Sequence, residues 1–239
     1  MRPDRAPREH AGDGGAPLSR IEIPNDWTFA SAEVAAGFER HVREQLPWYE
    51  IASGLVAHIA RAYLPEGGVV YDLGASTGNV GRVLESTLEA REARLIAVER
   101  EPEMAALYEG PGELVVADVR EVEFERFDVA IAFLLFMFLP PKDRDRLLYR
   151  LTLAMREGGA VVIVDKEELP GGYLGSVLRR LTLAGKVATA TPAEEIVAKE
   201  LSLEGVQRPV PRGWPRAGVE VFRFGEFAGW VIERVTGGG

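Results

Sequence analysis

Apolar and polar residues alternate with two different periodicities along this chain, and these periodicities predict where helices and strands lie. Apolar positions recur with helical spacing over residues 31–45 and 48–63, and Pro47 separates the two segments. From residue 69 to residue 166, short runs that are apolar throughout alternate with further helical segments. Such alternation is typical of a parallel sheet that is covered by helices on both faces.

Five strands are predicted in this central part of the chain, and a hairpin follows near the C-terminus. The strand segments are GVVYDLG, ARLIAVER, ELVVADV, FDVAIAFLLFMFL and AVVIVDK, and the helices between them are NVGRVLESTLEA, EPEMAALYEG and PKDRDRLLYRLTLAMREGG. VEVFRF and FAGWVIER flank a Gly-Glu turn that is short enough only for antiparallel pairing. We therefore expect an α/β, Rossmann-like sandwich with a mostly parallel seven-stranded sheet and a C-terminal antiparallel hairpin.

Two segments depart from the alternation. Residues 1–24 are rich in Arg, Pro, Gly and Asp, and are predicted to form a disordered leader before a single domain over residues 25–239. A helical insert is predicted over about residues 169–206, where GYLGSVLRRLTLAGKVATA places apolar residues on one face. A lid helix or a dimer helix is favoured there over a helix lying on a membrane surface.

Composition excludes several kinds of chemistry. The chain of 239 residues carries a formal charge of −9, which argues against a broad nucleic-acid-binding surface. It has no cysteine, so disulfides, thiolate metal sites and a cysteine nucleophile are excluded, and three histidines do not suggest a metal cluster. No apolar run is long enough to span a membrane and the N-terminus lacks a signal-like apolar core, so we expect a cytoplasmic protein.

The turn after the first predicted strand indicates a ligand site. In VVYDLGASTGNVGRVLE, Asp72 is followed by Gly74, Ala75, Ser76 and Gly78 before a helix begins. Glycines let a ligand approach the backbone, and a helix start offers free N–H groups. The spacing fits neither the dinucleotide pattern G-x-G-x-x-G nor a P-loop. The alternative is a glycine turn required only for packing the helix on the strand.

Two further acidic residues end predicted strands at the same edge of the sheet. Glu99 ends the second strand, where a carboxylate can accept hydrogen bonds from ribose hydroxyls. Asp118 ends the third strand. Each has a simpler interpretation, a solvated loop charge for Glu99 and a cap or turn residue for Asp118. Three acids at the ends of three successive strands nevertheless favour a cofactor site.

The pattern Asp72-x-Gly74-x-Ser76-x-Gly78 is similar to the D-x-G-x-G-x-G turn of class I S-adenosylmethionine-dependent methyltransferases, with Ser in place of the middle Gly. More narrowly, FERHVREQLPWYEIA, VYDLGAS, FLPPKDRDRLLYRL, GGAVVIVDKEE and KELSLEGV resemble segments of the carboxy-S-adenosylmethionine synthase family, over about residues 28–206. That family has the class I fold and uses prephenate to convert S-adenosylmethionine into a carboxylated derivative for tRNA modification.

The resemblance implies S-adenosyl-L-methionine as the cofactor and a homodimer that pairs through the inserted helices. Together, the turn and the resemblance predict a set of cofactor-binding residues. The set is Tyr49, Asp72, Gly74, Ala75, Ser76, Gly78, Glu99, Arg100, Asp118, Val119 and Phe133.

Two positions depart from the pattern of the resembled family. Phe133 stands where the family has an Asn beside the cofactor, and Glu200 stands where it has an Arg that holds the extra carboxylate. An anion at the second position would repel a carboxylate. Lys199, Arg179 or Arg180 could replace that Arg from another direction. These departures suggest a relative that keeps the cofactor turn and changes the reaction.

The function predicted from the sequence is methyl transfer to an unidentified acceptor, a small molecule or a modified nucleotide. The alternatives are a carboxy-S-adenosylmethionine synthase-like enzyme and a non-catalytic module that binds the cofactor. No catalytic base can be named. Apolar residues of the fourth strand are expected to face the acceptor, and other polar groups could contribute. The apolar set is Phe133, Leu134, Phe136 and Met137, and the polar set is Asp165, Lys166, Tyr173, Arg179, Arg212 and Trp214.

Overall fold

A computed structural model describes residues 21–234 of the protein. Helices and strands alternate through most of this range. The elements are α1 (Ala32–Gln45), α2 (Tyr49–Tyr63), β1 (Val69–Leu73), α3 (Asn79–Ala90), β2 (Arg94–Glu99), α4 (Pro102–Ala105), β3 (Glu113–Val116), β4 (Phe127–Phe133), α5 (Pro141–Ala154), β5 (Met155–Lys166), α6 (Gly172–Ala188), α7 (Ala193–Ser202), β6 (Val219–Phe224) and β7 (Phe227–Glu233).

The strands form one sheet in the order β3-β2-β1-β4-β5-β7-β6. The first five strands run parallel, and β7 pairs antiparallel with both β5 and β6. The predicted α/β sandwich with its C-terminal hairpin is therefore confirmed. Chain order reverses between β1 and β4, so a crevice opens at the carboxyl ends of these two neighbouring strands.

Both faces of the sheet are covered, as the uniformly apolar strands predicted. On one face, Leu147 and Leu151 of α5 pack in a buried cluster with strand residues such as Ile163. On the other face, Val56 of α2 and Leu84 of α3 pack in a second cluster. Burial of these side chains supplies most of the driving force for folding and fixes the strand ends that surround the crevice.

Two predicted boundaries differ from the structure because of tertiary contacts. The apolar run that follows Phe127 leaves the sheet after Phe133 and forms a short 3-10 helix over Phe136–Phe138. The buried carboxylate of Asp165 accepts a hydrogen bond of 2.6 Å from the Phe136 N–H and so holds this bend. Helix α5 also ends earlier than the predicted Gly-Gly stop, since Met155 already pairs with Phe127 in the sheet.

The predicted N-terminal leader lies mostly outside the part of the chain that the structure describes. Residues 1–20 of the predicted leader lie outside the described residues. Ile21, however, is 7% exposed and packs in a small cluster with Trp27 and Val34. This packing favours a domain that starts before residue 25, and the leader itself stays a prediction. The predicted insert contains α6 and α7, and no helix within residues 21–234 has the length and apolarity that a membrane span requires.

Gly78 provides a test of how the turn after β1 is packed. It has φ +96°, and a Cβ added there would lie 2.5 Å from the backbone nitrogen of Gly110. We predict that Gly78→Ala lowers the free energy of unfolding by about 1–3 kcal/mol. Gly54→Ala is the matched control, because nothing lies within 4 Å of its added Cβ. In the interior of α2 this change should stabilise by roughly 0.5–1 kcal/mol. Urea denaturation of both variants checks the pair, and equal effects would contradict it.

Candidate functional site

A cavity occupies the crevice at the carboxyl ends of the parallel strands, beneath α1 and α7. Nine of the eleven predicted cofactor-binding residues lie on its wall. They are Tyr49, Gly74, Ala75, Ser76, Glu99, Arg100, Asp118, Val119 and Phe133. The structure thus brings together residues from the ends of β1, β2 and β4, the segment after β3 and the start of α2.

Asp72 and Gly78 do not line the cavity. Their positions therefore argue against direct contact with a ligand. The Asp72 side chain is 1% exposed, and its Oδ2 has no hydrogen-bond partner among the described residues. Burial first, and then the neighbouring Glu99 carboxylate, raise the pKa of Asp72 to about 7. Gly78 faces Gly110 on the other side of the turn. Both residues therefore support the conformation of the turn from the side that faces away from the cavity.

The turn itself is joined to the end of β2 by the Glu99 carboxylate. Ser76 has a left-handed backbone with φ 52°, and its N–H donates to Glu99 Oε2 at 2.8 Å. The N–H of Glu101 donates to the other oxygen, Oε1, at 2.9 Å. Each carboxylate oxygen keeps a further lone pair, so Glu99 can hold the turn and still accept hydrogen bonds from a ligand. Burial raises its pKa, although these hydrogen bonds oppose the shift.

Helix α1 is fastened to the same turn by a polar network that the sequence did not reveal. The Thr77 hydroxyl donates to Glu39 Oε1 at 2.7 Å, and the Arg82 guanidinium pairs with the same carboxylate. Arg43 donates to Asn79 Oδ1 at 3.1 Å. Because Glu39 and Arg43 are one turn apart, this face of α1 is fixed over the start of α3. The network makes α1 one wall of the cavity.

The carboxylate of Asp118, the third predicted acidic residue, is already paired with an arginine. Asp118 lines the cavity, but Arg120 donates two hydrogen bonds to its carboxylate, from Nε to Oδ1 at 2.9 Å and from Nη2 to Oδ2 at 2.6 Å. The hydrogen bonds from Arg120 lower the pKa of Asp118. Its carboxylate is thus a fixed anion. Arg100, which also lines the cavity, is half exposed and pairs mainly with Glu101.

Aromatic side chains close the cavity near the start of α2. Tyr49 is 7% exposed, and its ring meets that of Phe133 edge to face at 5.3 Å between centroids. The Arg43 guanidinium lies 5.6 Å from the Tyr49 ring centroid. Phe133 therefore takes an apolar packing role where the resembled family has an Asn. A ligand beside it meets a ring and not an amide.

The end of β5 and helices α6 and α7 contribute a charged group to the cavity wall. We call this group the lysine corner, and it consists of Lys166, Lys186, Lys199 and Glu200. Glu200 pairs with Lys186 at 2.8 Å and with Arg179 at 3.3 Å. Lys199 is buried against the Trp27 ring, and no carboxylate of the described residues lies within ion-pair distance of it. Burial and the charge of Lys186 lower the pKa of Lys199 to about 5. The repulsion expected from Glu200 is therefore offset by its own cationic partners.

Only part of the predicted acceptor side reaches the cavity. Leu134, Met137 and Lys166 line it, as does Gln207 of the proline-rich loop. Phe136 is wrong for this role, because it is fully buried against Trp214 in the core on the opposite face of the sheet. The other five polar candidates, Asp165, Tyr173, Arg179, Arg212 and Trp214, do not line the cavity. Asp165 is enclosed in the core, and Tyr173 and Arg212 are exposed to solvent.

Several wall residues were missed from the sequence. Trp27, Phe38, His41 and Gln45 line the cavity from α1 and the segment before it. The only sequence signal was the helical spacing that puts residues 34, 38, 41, 42 and 45 on one face, and that spacing cannot distinguish a cavity wall from a core. Within residues 21–234, no group of three or more His, Asp and Glu side chains could hold a metal ion.

Comparison with known proteins agrees with this geometry. Residues 70–159, which include the glycine turn and β1 to the start of β5, match the family described as a methyltransferase domain. An O-methyltransferase family protein from Burkholderia thailandensis has a similar structure, with a TM-score of 0.60 at 13% identity over 87% of this chain and 61% of that one. The chain therefore has the fold of the class I S-adenosylmethionine-dependent methyltransferases, and residues 70–159 match a methyltransferase domain.

Relatives with similar sequences identify the family more specifically. The chain is 30% identical to the carboxy-S-adenosyl-L-methionine synthase of Shewanella sediminis, over 74% of this chain and 76% of that protein. It is 28% identical to the enzyme of the same name from Shewanella oneidensis, over 77% and 79%. The chain belongs to the carboxy-S-adenosyl-L-methionine synthase family.

The raised pKa of the buried Asp72 carboxyl predicts that the stability of the protein depends on pH. A pKa raised from 3.8 to about 7 means that the folded protein binds this proton more tightly than the unfolded chain does. Stability therefore falls as pH rises through this range. Asp72→Asn should remove that loss, so its stability relative to the parent should grow by up to about 4 kcal/mol between about pH 4 and about pH 7 and change little above that range. Urea denaturation at several pH values measures this, and a difference that is independent of pH would contradict the assignment.

Proposed function

We propose that the cavity binds S-adenosylmethionine with its ribose on Glu99 and its adenine beside Asp118 and Val119. The observation that carries this proposal is the Glu99 carboxylate, which lies on the wall with both oxygens oriented by backbone N–H groups and with lone pairs to spare. The methionine end then lies toward Gly74 and Tyr49. Gly74 has φ +73° and no side chain, so its backbone can approach the ligand.

The reaction that we propose first is methyl transfer to a small acceptor. The acceptor's nucleophilic atom attacks the methyl carbon in line, and the carbon–sulfur bond breaks with its electrons left on sulfur. The protein must align the acceptor and exclude water. Phe133, Leu134 and Met137 supply an apolar wall for this. No residue is assigned as a general base.

A second candidate is synthesis of a carboxylated S-adenosylmethionine, as the names of the relatives suggest. One observation favours it. The lysine corner places three lysines and one carboxylate on the cavity wall, and Lys199 has no carboxylate within ion-pair distance among the described residues. A ligand carboxylate beside Lys199 would raise the lowered pKa of this lysine and form an ion pair with its protonated form, even though Glu200 stands where the resembled family has an Arg.

Mass spectrometry of the cofactor separates these candidates. The purified protein is incubated with S-adenosylmethionine and prephenate, with and without a pool of small acceptors. Methyl transfer predicts S-adenosylhomocysteine only when acceptors are added. A heavier, carboxylated cofactor that forms with prephenate and is lost in Lys199→Met would establish the second candidate. Cofactor binding without either product would favour a non-catalytic module.

Glu99 provides the direct test of the binding mode. Glu99→Gln keeps the shape of the side chain but removes the charge that strengthens hydrogen bonds from ribose hydroxyls. We expect a loss of about 10- to 100-fold in affinity for S-adenosylmethionine. Calorimetric titration measures it. Glu113→Gln at the exposed start of β3 is the matched control and should bind normally. Unchanged affinity in a folded Glu99→Gln protein would contradict the proposed orientation.

We also propose that the protein is a homodimer that pairs through α6, and its cytoplasmic location stays a prediction. The apolar face of α6 that the sequence predicted is turned to solvent, whereas Gly175, Thr182 and Lys186 face inward. Exposed apolar rows of this kind commonly mark protein interfaces. The exposed residues include Tyr173, Leu174, Val177, Leu181 and Val187.

Light scattering tests this assembly at micromolar concentration. We expect the parent protein to have the mass of a dimer and Leu181→Glu to have the mass of a monomer, because a charge would be buried at the interface. Leu153→Glu on α5 is the control, since Leu153 is 56% exposed and lies away from α6. A monomeric parent protein would remove the proposal.

A further inference from the structure

Two polar side chains of α1 are buried at the wall of the cavity without complete hydrogen bonding. His41 and Gln45 lie one helical turn apart, and each is 5% exposed. Both line the cavity. Neither is among the residues that the resembled family or the proposed cofactor site accounts for.

Glu195 of α7 fixes how both side chains are oriented. The Gln45 Nε2 donates to Glu195 Oε1 at 3.3 Å, so the amide oxygen of Gln45 must point away from that carboxylate. His41 Nδ1 lies 3.7 Å from the same oxygen. A carboxylate on this side favours the tautomer with the proton on Nδ1, which leaves a free lone pair on Nε2.

The two atoms that remain, His41 Nε2 and Gln45 Oε1, have no hydrogen-bond partner among residues 21–234. Both are therefore hydrogen-bond acceptors, and they lie on neighbouring turns of one helix. Buried polar atoms are nearly always paired in folded proteins, because leaving them unpaired is costly. A ligand that offers a hydrogen to them would remove this cost.

The imidazole stays neutral and can keep its role as an acceptor. Burial, followed by the positive charges of Lys199, Lys186 and Arg40, lowers the pKa of His41 to about 3. The Glu195 carboxylate faces the Nδ1 side of the ring. Trp27 stacks on the imidazole at 5.3 Å between centroids, which fixes the plane of the ring.

We propose that His41 Nε2 and Gln45 Oε1 form an acceptor subsite that accepts hydrogen bonds from an uncharged hydroxyl or amino group of the substrate. This inference rests on the proposed function, since it concerns the molecule bound beside the cofactor. The two lone pairs would repel a carboxylate placed directly against them, and a substrate carboxylate would turn toward Lys199 and Lys186 instead. Phe38, Phe138 and Met137 on the same wall suit an apolar or aromatic substrate body.

Three small probes test the subsite on the full chain saturated with S-adenosylhomocysteine. Phenol offers an O–H, anisole has the same ring without a donor, and benzoate carries a carboxylate. Binding is followed by NMR of protein labelled with ¹⁵N at histidine, in the millimolar range expected for ligands of this size. We expect phenol to bind about tenfold more tightly than anisole and to shift the Nε2 resonance of His41.

Single variants then isolate the two acceptors. Gln45→Met and His41→Phe should each reduce the ratio of phenol to anisole affinity, whereas Tyr149→Phe should leave it unchanged because Tyr149 is 64% exposed on α5 and does not line the cavity. Cofactor binding is measured first on the same samples, and its absence overturns the proposed function. With the cofactor bound, failure of phenol to bind, equal binding of phenol and anisole, or a preference for benzoate overturns the subsite alone.

Discussion

The hydrogen bond from the Ser76 N–H to the Glu99 carboxylate is the interaction on which the site depends. Ser76 takes a left-handed backbone that a residue with a side chain adopts at a cost. The carboxylate offsets this cost and at the same time fixes the end of β2 against the turn that follows β1. Since Glu99 also faces the cavity, one buried charge sets both the shape of the turn and the position of the proposed ribose contact.

A second set of contacts places α1 above that turn and thereby forms one wall of the cavity. The Glu39 carboxylate receives the Thr77 hydroxyl and the Arg82 guanidinium, which belong to the turn and to α3. At the other end of the cavity, Glu195 of α7 holds Gln45 of α1. The two ends of the wall thus differ in chemistry. Near Glu99 the wall offers a carboxylate and backbone groups, and near α7 it offers lysines and uncharged acceptor atoms.

The sequence predicted most of the fold because the information there is local. The segment NVGRVLESTLEA is helix α3 from its first residue to its last, and the Gly-Glu turn joins β6 to β7 as expected. The end of β4 could not be predicted, because the apolar residues continue beyond Phe133, where hydrogen bonding in the sheet stops. Asp165 on the neighbouring strand decides it. Likewise, Gln45 and Glu195 are 150 residues apart, and no spacing rule connects them.

A crystal structure of the full chain with S-adenosylhomocysteine tests the central claim most directly. The account predicts that the ribose hydroxyls lie within hydrogen-bond distance of Glu99, that the adenine lies beside Asp118 and Val119, and that the sulfur faces the wall formed by Tyr49 and Phe133. A cofactor bound elsewhere, or a ribose that does not contact Glu99, would contradict it.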